Sequence, residues 1–433
     1  APAALVILYI LFAIVGNNFF TWDTAENILQ SAYYIGFMAF GVTFIIITGG
    51  IDLSLGTVMM CAALIGAYSF NAWGLPLGVG VIITLGIAMI FGLLNGVMIA
   101  KLGLPPFIAT LGSQMISMGI GSIITKVQAQ TWPAASAEIG GWFKKALVRT
   151  KVFDIIPIGA IWLLVFFIIA ALILHKSKFG RYLYAIGSNE EAARLSGINT
   201  ANWKIGAYVL SGFFVGMAAL FYAAVYSTIT PGTGAGQEMH GITGVIVGGT
   251  SMAGGSGTMV GTLIGVFIMS VLKNGLSACG LQAEWQTFFT GLSMGLLQLK
   301  EIPSPLPQAL KDFGKAYLFE VTDSAGLKST MTTMFLFYIA LIIITSFILN
   351  KTMFGRALYA IGGNEVSAER AGYNVKRTKF ILYTAVGAVA GFTGMIRVCM
   401  ASQSIPKAMV NKEFTIIPAV ILGGASIFGG EGS

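Results

Sequence analysis

The sequence predicts an all-α, polytopic membrane protein with about ten or eleven transmembrane helices, and three observations lead there. Only 10% of the 433 residues are charged and 56% are hydrophobic, with a mean hydropathy of +0.83. A soluble domain carries about 25% charged residues. Apolar runs recur at close to the roughly 20 residues that a helix needs to cross a bilayer. Glycine is abundant at 56 residues, as in membrane helices whose backbones pack closely.

In chain order the spans fall near residues 2–18, 28–48, 55–73, 76–100, 104–125, 154–175, 205–226, 257–275, 283–298, 333–350 and 379–400. The first run, ALVILYILFAIVG, has no charged start and reads as a membrane helix rather than a cleaved leader. Polar segments separate the spans: residues 126–150, the stretches after residues 175 and 350, and a hydrophilic insert over residues 300–330. If the two polar stretches do the same job they face the same compartment, and the chain crosses the membrane an even number of times between Lys204 and Lys351. Four clear spans lie there, which requires GITGVIVGG (Gly241–Gly249) to be a short re-entrant piece, tolerated where protein or a water cavity surrounds it; a full span there would instead favour a composite of two joined pieces. Charge does not orient the chain, because loop 126–152 holds about as many Lys and Arg as the stretch after residue 175.

The net charge of +8 sits singly or in small groups at the ends of apolar runs. That pattern fits membrane-flanking anchors in contact with lipid, not nucleic-acid binding. Cys61, Cys279 and Cys399 have no CxxC or Cys/His metal spacing, so they read as inert buried thiols. His175 and His240 are too few for a relay. No catalytic constellation and no metal site stand out.

The most informative feature is a repeat. GRYLYAIGSNEEAARLSGIN (Gly180–Asn199) returns as GRALYAIGGNEVSAERAGYN (Gly355–Asn374), an offset of 355 − 180 = 175 that holds without a gap to the end of the sequence. Glu238 meets Glu413, and GGTSMAGGSGT (Gly248–Thr258) meets GGASIFGGEGS (Gly423–Ser433). The repeated unit is a polar stretch, a span, a loop with a Glu and a Gly-rich run. No counterpart of residues 1–100 precedes the second copy, which is therefore either degenerate or a second, partial piece. This divides the chain into a near-complete unit (1–298), a junction (299–332) and a partial repeat (333–433). In NEEAARLSGIN, Asn189 caps a short surface helix whose first turn is acidic and which Gly197 stops. Loops are ordinarily the least constrained parts of a chain, so a loop this well kept between copies points to a docked partner.

GTSMAGGS (Gly249–Ser256) mimics the spacing of a phosphate loop, but Gly255 replaces the lysine that would reach the phosphates. The chain is therefore expected to bind no ATP and to carry no cofactor. In GGIDLSLG (Gly49–Gly56), Asp52 or Ser54 can cap the following helix or line a solute path beside a broken helix. Glu238 and Glu413 read as caps or buried hydrogen-bonding groups, with the same alternative role. Asp52, Ser54, Glu238 and Glu413 are the pathway candidates.

Four motifs in order carry a resemblance: GGIDLSLG, LPPFIATLGS (Leu104–Ser113), GRYLYAIGSNEEAARLSGIN and VGGTSMAGGSGTMVGTLIGV (Val247–Val266). Together they resemble the permease subunit of ATP-binding cassette importers for monosaccharides, the ribose, xylose and galactose permeases. The resemblance covers nearly all of residues 1–298, and residues 333–433 resemble the later half of a second permease. It implies a bacterial cytoplasmic-membrane protein that is not itself an enzyme. It also implies two separate ATPase subunits carrying ATP and Mg, a solute-binding protein outside, and a second permease subunit. Asn189–Gly197 resembles the coupling helix that seats in an ATPase groove. The coupling residues are then Gly180, Arg181, Asn189, Glu190, Glu191, Ala193 and Gly197, and in the repeat Gly355, Arg356, Asn364, Glu365, Ala368 and Gly372. A secondary transporter driven by an ion gradient is the alternative, with Asp52, Glu238 and Glu413 as its only suitable carboxylates.

Overall fold

The structure, a computed structural model, describes residues 2–280, 316–322 and 328–401, with isolated positions at 416, 419–420, 423–425 and 430. The chain forms two compact units, Ala1–Leu297 and Gln298–Ser433.

The first unit is helical: α1 (Pro2–Val15), α2 (Trp22–Ile47), α3 (Leu55–Asn71), α4 (Leu77–Ala100), α5 (Pro106–Ile124), α6 (Gly141–Lys144), α7 (Ile158–Lys176), α8 (Lys178–Ser188), α9 (Glu190–Leu195), α10 (Thr200–Tyr226), α11 (Gln237–Val247) and α12 (Met259–Ala278). The second unit holds α13 (Met334–Lys351), α14 (Met353–Gly363), α15 (Glu365–Arg370) and α16 (Val375–Ala401). Eight described helices are long and apolar enough to cross a membrane, and α1 and α3 are shorter apolar helices. The span expected over 283–298 lies outside the described residues.

Helix α2 is the centre of the first unit. From Ser31 to Ile47 every residue is buried, and a helix that is apolar all round belongs in an interior. It packs against α7, α10, α11 and α12. Aromatic rings fill these seams: Phe37 lies 4.8 Å from Phe221, and Phe44 stacks on Phe214 at 6.2 Å. Between α4 and α10 the backbones themselves touch. A Cβ on Gly92 would lie 2.4 Å from the Tyr208 carbonyl oxygen, and one on Gly212 would lie 2.5 Å from that of Ala88. Small residues four apart (Gly92 and Gly96, Gly212 and Gly216) permit this approach, which is how membrane helices associate where lipid offers no hydrophobic drive.

Helix α11 has 11 residues. At about 1.5 Å per residue it is roughly 16 Å long, about half of a bilayer core. It packs on α2, α3 and α12, and this protein surround lets a half-length element sit at membrane depth.

Polar segment 126–150 is more structured than its composition indicates. Gln130–Thr131 (β1) pairs with Thr228–Ile229 (β4), while Lys151–Val152 (β2) pairs with Ile156–Pro157 (β3). Trp132 is fully buried, stacks on Phe143 at 4.7 Å and donates from Nε1 to the Ala63 carbonyl at 3.1 Å. Lys144 donates to Ser227 Oγ at 2.7 Å. Burial, then neighbouring Arg149, hold its ammonium below the usual lysine range. In the second unit the insert contains a hairpin, β5 (Tyr317–Thr322) with β6 (Lys328–Thr332). The strands are short accessories to an all-α architecture, and only the β1–β4 pair joins segments far apart in the chain.

The sequence offset survives in three dimensions. Helices α14, α15 and α16 reproduce the bounds of α8, α9 and α10 shifted by 175 residues. Their surroundings differ: 67% of the apolar window of α10 is buried, and none of that of α16. In the first unit α10 is covered by α2 and α4, and no counterpart of α2 or α4 precedes α16 in the chain.

Candidate functional site: a duplicated pair of short helices and a buried carboxylate turn

The polar stretch folds as two short helices meeting at an asparagine. Ser177 Oγ accepts from the Gly180 amide at 3.2 Å and caps α8. Gly180 is obligatory there, because a Cβ would lie 1.8 Å from the Leu174 carbonyl oxygen. Asn189 Oδ1 accepts from the Ala192 amide at 2.9 Å and caps α9. Such side chains satisfy amides that the first helical turn leaves open. Ala193 faces inward and is buried. Gly197 ends the helix at φ +82°, where glycine carries no Cβ penalty. Glu190 pairs with Lys204 at 2.5 Å, clipping α9 to the start of α10.

Every one of these devices recurs in the second unit. Thr352 accepts from Gly355 at 3.2 Å, Asn364 accepts from Ser367 at 2.8 Å, Ala368 is buried, Gly372 has φ +88°, and Glu365 pairs with Lys379 at 2.6 Å. A Cβ on Gly355 would lie 2.1 Å from the Leu349 carbonyl oxygen. Two features are not shared. Glu191 pairs with Arg194 at 2.5 Å and holds that guanidinium above its usual range, but Val366 and Glu369 stand at the matching positions. Arg181 donates to the Lys176 carbonyl, whereas Arg356 donates to Met353 Sδ. The outer face of α9 presents Glu190, Glu191 and Arg194 around Leu195, which is 79% exposed.

The Gly-rich run is the seat of α8. A Cβ on Gly187 would lie 1.8 Å from the Ile47 carbonyl oxygen and 2.5 Å from the Gly255 amide nitrogen. The Gly255 amide donates to that same carbonyl at 2.9 Å, and Tyr184 donates to the Gly257 carbonyl at 2.6 Å. The end of α2, helix α8 and the loop joining α11 to α12 therefore meet backbone to backbone. Within the second unit a Cβ on Gly430 would lie 2.8 Å from Gly363 Cα, as one on Gly255 would lie 3.0 Å from Ser188 Cα in the first.

From Ile47 the chain turns through Gly49 and Gly50 to Asp52. Asp52 Oδ1 accepts from the Ser54 amide at 2.8 Å and from Ser54 Oγ at 2.6 Å. Asn95 Nδ2 donates to Asp52 Oδ2 at 3.3 Å and to Ser54 Oγ at 3.0 Å, and Ser113 donates to Asn95 Oδ1 at 2.5 Å. Asp52 thus builds an Asx-type turn, and Ser54, the residue before α3, gives no side-chain cap; this corrects the capping expectation. Glu238 receives the Gly236 amide at 2.9 and 3.1 Å. Its carboxylate abuts α3 at Gly56, where an added Cβ would lie 2.5 Å from Oε2.

Asp52, Ser54 and Glu238 are 3%, 1% and 0% exposed, so all three are closed off from solvent. Glu413 lies outside the described residues. The sequence reading missed Asn95 and Ser113, although an Asn within an apolar span is itself a signal. It also missed Tyr184 and Gly187, whose roles emerge only from distant partners. The glycine run belongs to packing, and among the described residues no His/Cys/Asp/Glu group could hold a metal. Cys61 and Cys399 are buried, while Cys279 is only half-buried.

A family profile described as branched-chain amino acid transport system, permease component, matches residues 24–297 and again residues 300–430. The ribose import permease protein RbsC of Escherichia coli (strain K12) is 37% identical over 293 residues, covering 65% of this chain and 88% of the relative. The fructose import permease protein FrcC of Rhizobium meliloti is 31% identical over 302 residues, 67% of this chain and 83% of the relative. The autoinducer 2 import system permease protein LsrC of Yersinia enterocolitica serotype O:8 / biotype 1B is 32% identical over 300 residues, 67% of this chain and 79% of the relative. No solved structure matches the chain. With two successive profile matches that together cover most of its length and helices built to cross a bilayer, the chain belongs to the family of permease components of ATP-binding cassette importers and is a multi-pass membrane protein.

Proposed function

We propose that this chain forms the translocation pathway of a bacterial inner-membrane importer for a sugar or sugar-like solute, and that α9 and α15 each dock one ATPase subunit. The observation that carries the docking reading is the repetition of one device: asparagine cap, inward alanine, left-handed glycine and Glu–Lys clip, at an offset of 175 residues. ATP and Mg belong to those partners, and the chain itself is not an enzyme. A solute-binding protein delivers the cargo from outside. A second permease subunit completes the pathway, because the partial repeat has no counterpart of α2–α5. The division into residues 1–298, 299–332 and 333–433 follows the same reasoning.

Mechanically, α8 is the transmitting part. ATP-driven closure of the ATPases displaces α9. The backbone contacts of α8 carry that displacement to the end of α2 and to the glycine loop, and so to α11 and the Asp52 turn. Packed interfaces switch between discrete arrangements rather than deform continuously.

The test is uptake of labelled D-ribose into proteoliposomes holding the full chain, its ATPase and its binding protein. The expected result is uptake that requires ATP and is lost on Glu190→Ala combined with Glu365→Ala. Uptake driven by a proton or sodium gradient without the ATPase would refute the reading.

A further inference from the structure

The end of the first unit opposite α9 carries a polar and aromatic cluster that the docking element and the Asp52 turn do not use. Lys273 lies fourteen residues into α12, about 21 Å along the helix at about 1.5 Å per residue. Its ammonium donates to Tyr34 of α2 at 2.6 Å and to Tyr226 of α10 at 3.3 Å. It also lies over both rings, 5.2 and 5.8 Å from their centres. Tyr222 completes an aromatic group, 4.5 Å from Tyr226 and 5.2 Å from Tyr34. Asn274 Nδ2 donates to Ser31 Oγ at 3.1 Å. His240 lies on α11, which packs on both α2 and α12.

Two observations set this cluster apart from ordinary packing. A cation in an apolar membrane helix is expensive and marks a functional site by default. The cluster is also incompletely satisfied, since His240 Nδ1 and Ser270 Oγ are buried with no hydrogen-bond partner. Buried polar atoms are nearly always paired, so unpaired ones beside a caged cation leave hydrogen bonds for a guest. Tyr226 is 44% exposed, so the cluster opens outward there. Lys273, Tyr34 and Tyr226 bring α12, α2 and α10 together, and α11 packs beside α2 and α12.

We propose that Lys273, Tyr226, Tyr34 and His240 form a contact station for a polyhydroxylated solute on the side of the membrane opposite α9. Ring faces cover the C–H faces of a sugar, and the ammonium, imidazole and hydroxyl groups take its hydroxyls, the usual division between apolar walls and a few placed polar groups. None of the side chains named here is a carboxylate, so nothing in the station would receive the ammonium of an amino acid. The station deepens the sugar-import reading and rests on it.

The test uses the full chain in membrane vesicles, with Cys61→Ala, Cys279→Ser and Cys399→Ala as background. Ser277→Cys serves as the reporter, exposed and one turn beyond Lys273 on the same face of α12. Labelling by a membrane-impermeant maleimide is followed with D-ribose, D-fructose or L-leucine present. Ribose or fructose is expected to slow labelling several-fold and leucine to leave it unchanged. Lys273→Met and Tyr226→Ala should raise the sugar concentration needed for protection about tenfold, the weight of one charge-assisted hydrogen bond. Tyr226→Phe should keep most of the protection. An unaltered labelling rate without solute shows that each variant is folded. Protection by leucine, protection that survives Lys273→Met, or no protection by either sugar overturns the proposal. Because the assay needs no ATPase, protection without ATP-driven uptake would reject the importer reading alone, and uptake without protection would reject the station alone.

Discussion

Replacing Gly187 with alanine is the sharpest test of the meeting between α8, α2 and the glycine loop. The added Cβ would lie 1.8 Å from the Ile47 carbonyl oxygen and 2.5 Å from the Gly255 nitrogen, against about 3.4 Å for ordinary contact. Both obstacles are backbone atoms, so no rotamer change relieves the overlap. The backbones must part by more than 1 Å, which stretches the Gly255–Ile47 hydrogen bond of 2.9 Å beyond use. Overpacking costs about 1–3 kcal/mol and a lost hydrogen bond about 1 kcal/mol, so Gly187→Ala should destabilise by about 2–4 kcal/mol. Two other glycines calibrate the measurement. Gly86 has nothing within 4 Å of an added Cβ, so Gly86→Ala should gain up to about 1 kcal/mol of helix propensity. Gly197 is equally open but has φ +82°, so Gly197→Ala should lose about 1 kcal/mol to backbone strain. Denaturation midpoints of the purified full chain in one detergent should therefore rank Gly86→Ala above wild type, then Gly197→Ala, then Gly187→Ala. ATP-dependent uptake should fall furthest in Gly187→Ala. If Gly187→Ala matches Gly86→Ala in midpoint and in uptake, α8 does not touch α2 and the transmission argument fails.

Four further outcomes follow from the same geometry. Asp52→Ala strips the acceptor from two Ser54 groups and from Asn95, and should cost about 2–4 kcal/mol in denaturation because buried donors are left unpaired. Asp52→Asn should cost less, since its amide oxygen can still serve Ser54. Asn189→Ala removes one cap, worth about 1 kcal/mol; yield should hold while co-purification with the ATPase subunit drops, and unchanged co-purification would count against docking at α9. Glu190→Gln breaks a surface pair whose stability contribution is about 0–1 kcal/mol, so a large loss of melting midpoint would contradict the exposed geometry. Trp132→Phe deletes the bond to the Ala63 carbonyl and part of the stack on Phe143, and should lower stability by about 1–3 kcal/mol on a thermal aggregation assay.

Membrane crossing, the repeat and the two short capped helices were legible because each is written directly along the chain. Long apolar runs name spans, since lipid forces the backbone to satisfy itself within a helix. The cap at Asn189 and the stop at Gly197 are signals that lie within a few residues of the helix they bound. The half-length of α11 agrees with the re-entrant piece that an even number of crossings between the two polar stretches requires. Span edges shifted by a few residues, as with α10, which begins at Thr200 rather than 205, because a polar first turn can be helical without being apolar.

What tertiary structure alone decided concerns partners far apart in sequence. Gly187 meets Ile47 and Gly255, Asp52 meets Asn95, and Lys273 meets Tyr34 and Tyr226. The Gly-rich run illustrates the difference. Its sequence lacks the lysine of a phosphate loop, but only the folded backbone revealed it as the seat of α8. Sequence by itself determined that this chain lives in a membrane and carries one capped pair of short helices twice. Which side chains converge was left to packing, because hydrogen bonds and close backbone contacts depend on distance in space, and a sequence records only distance along the chain.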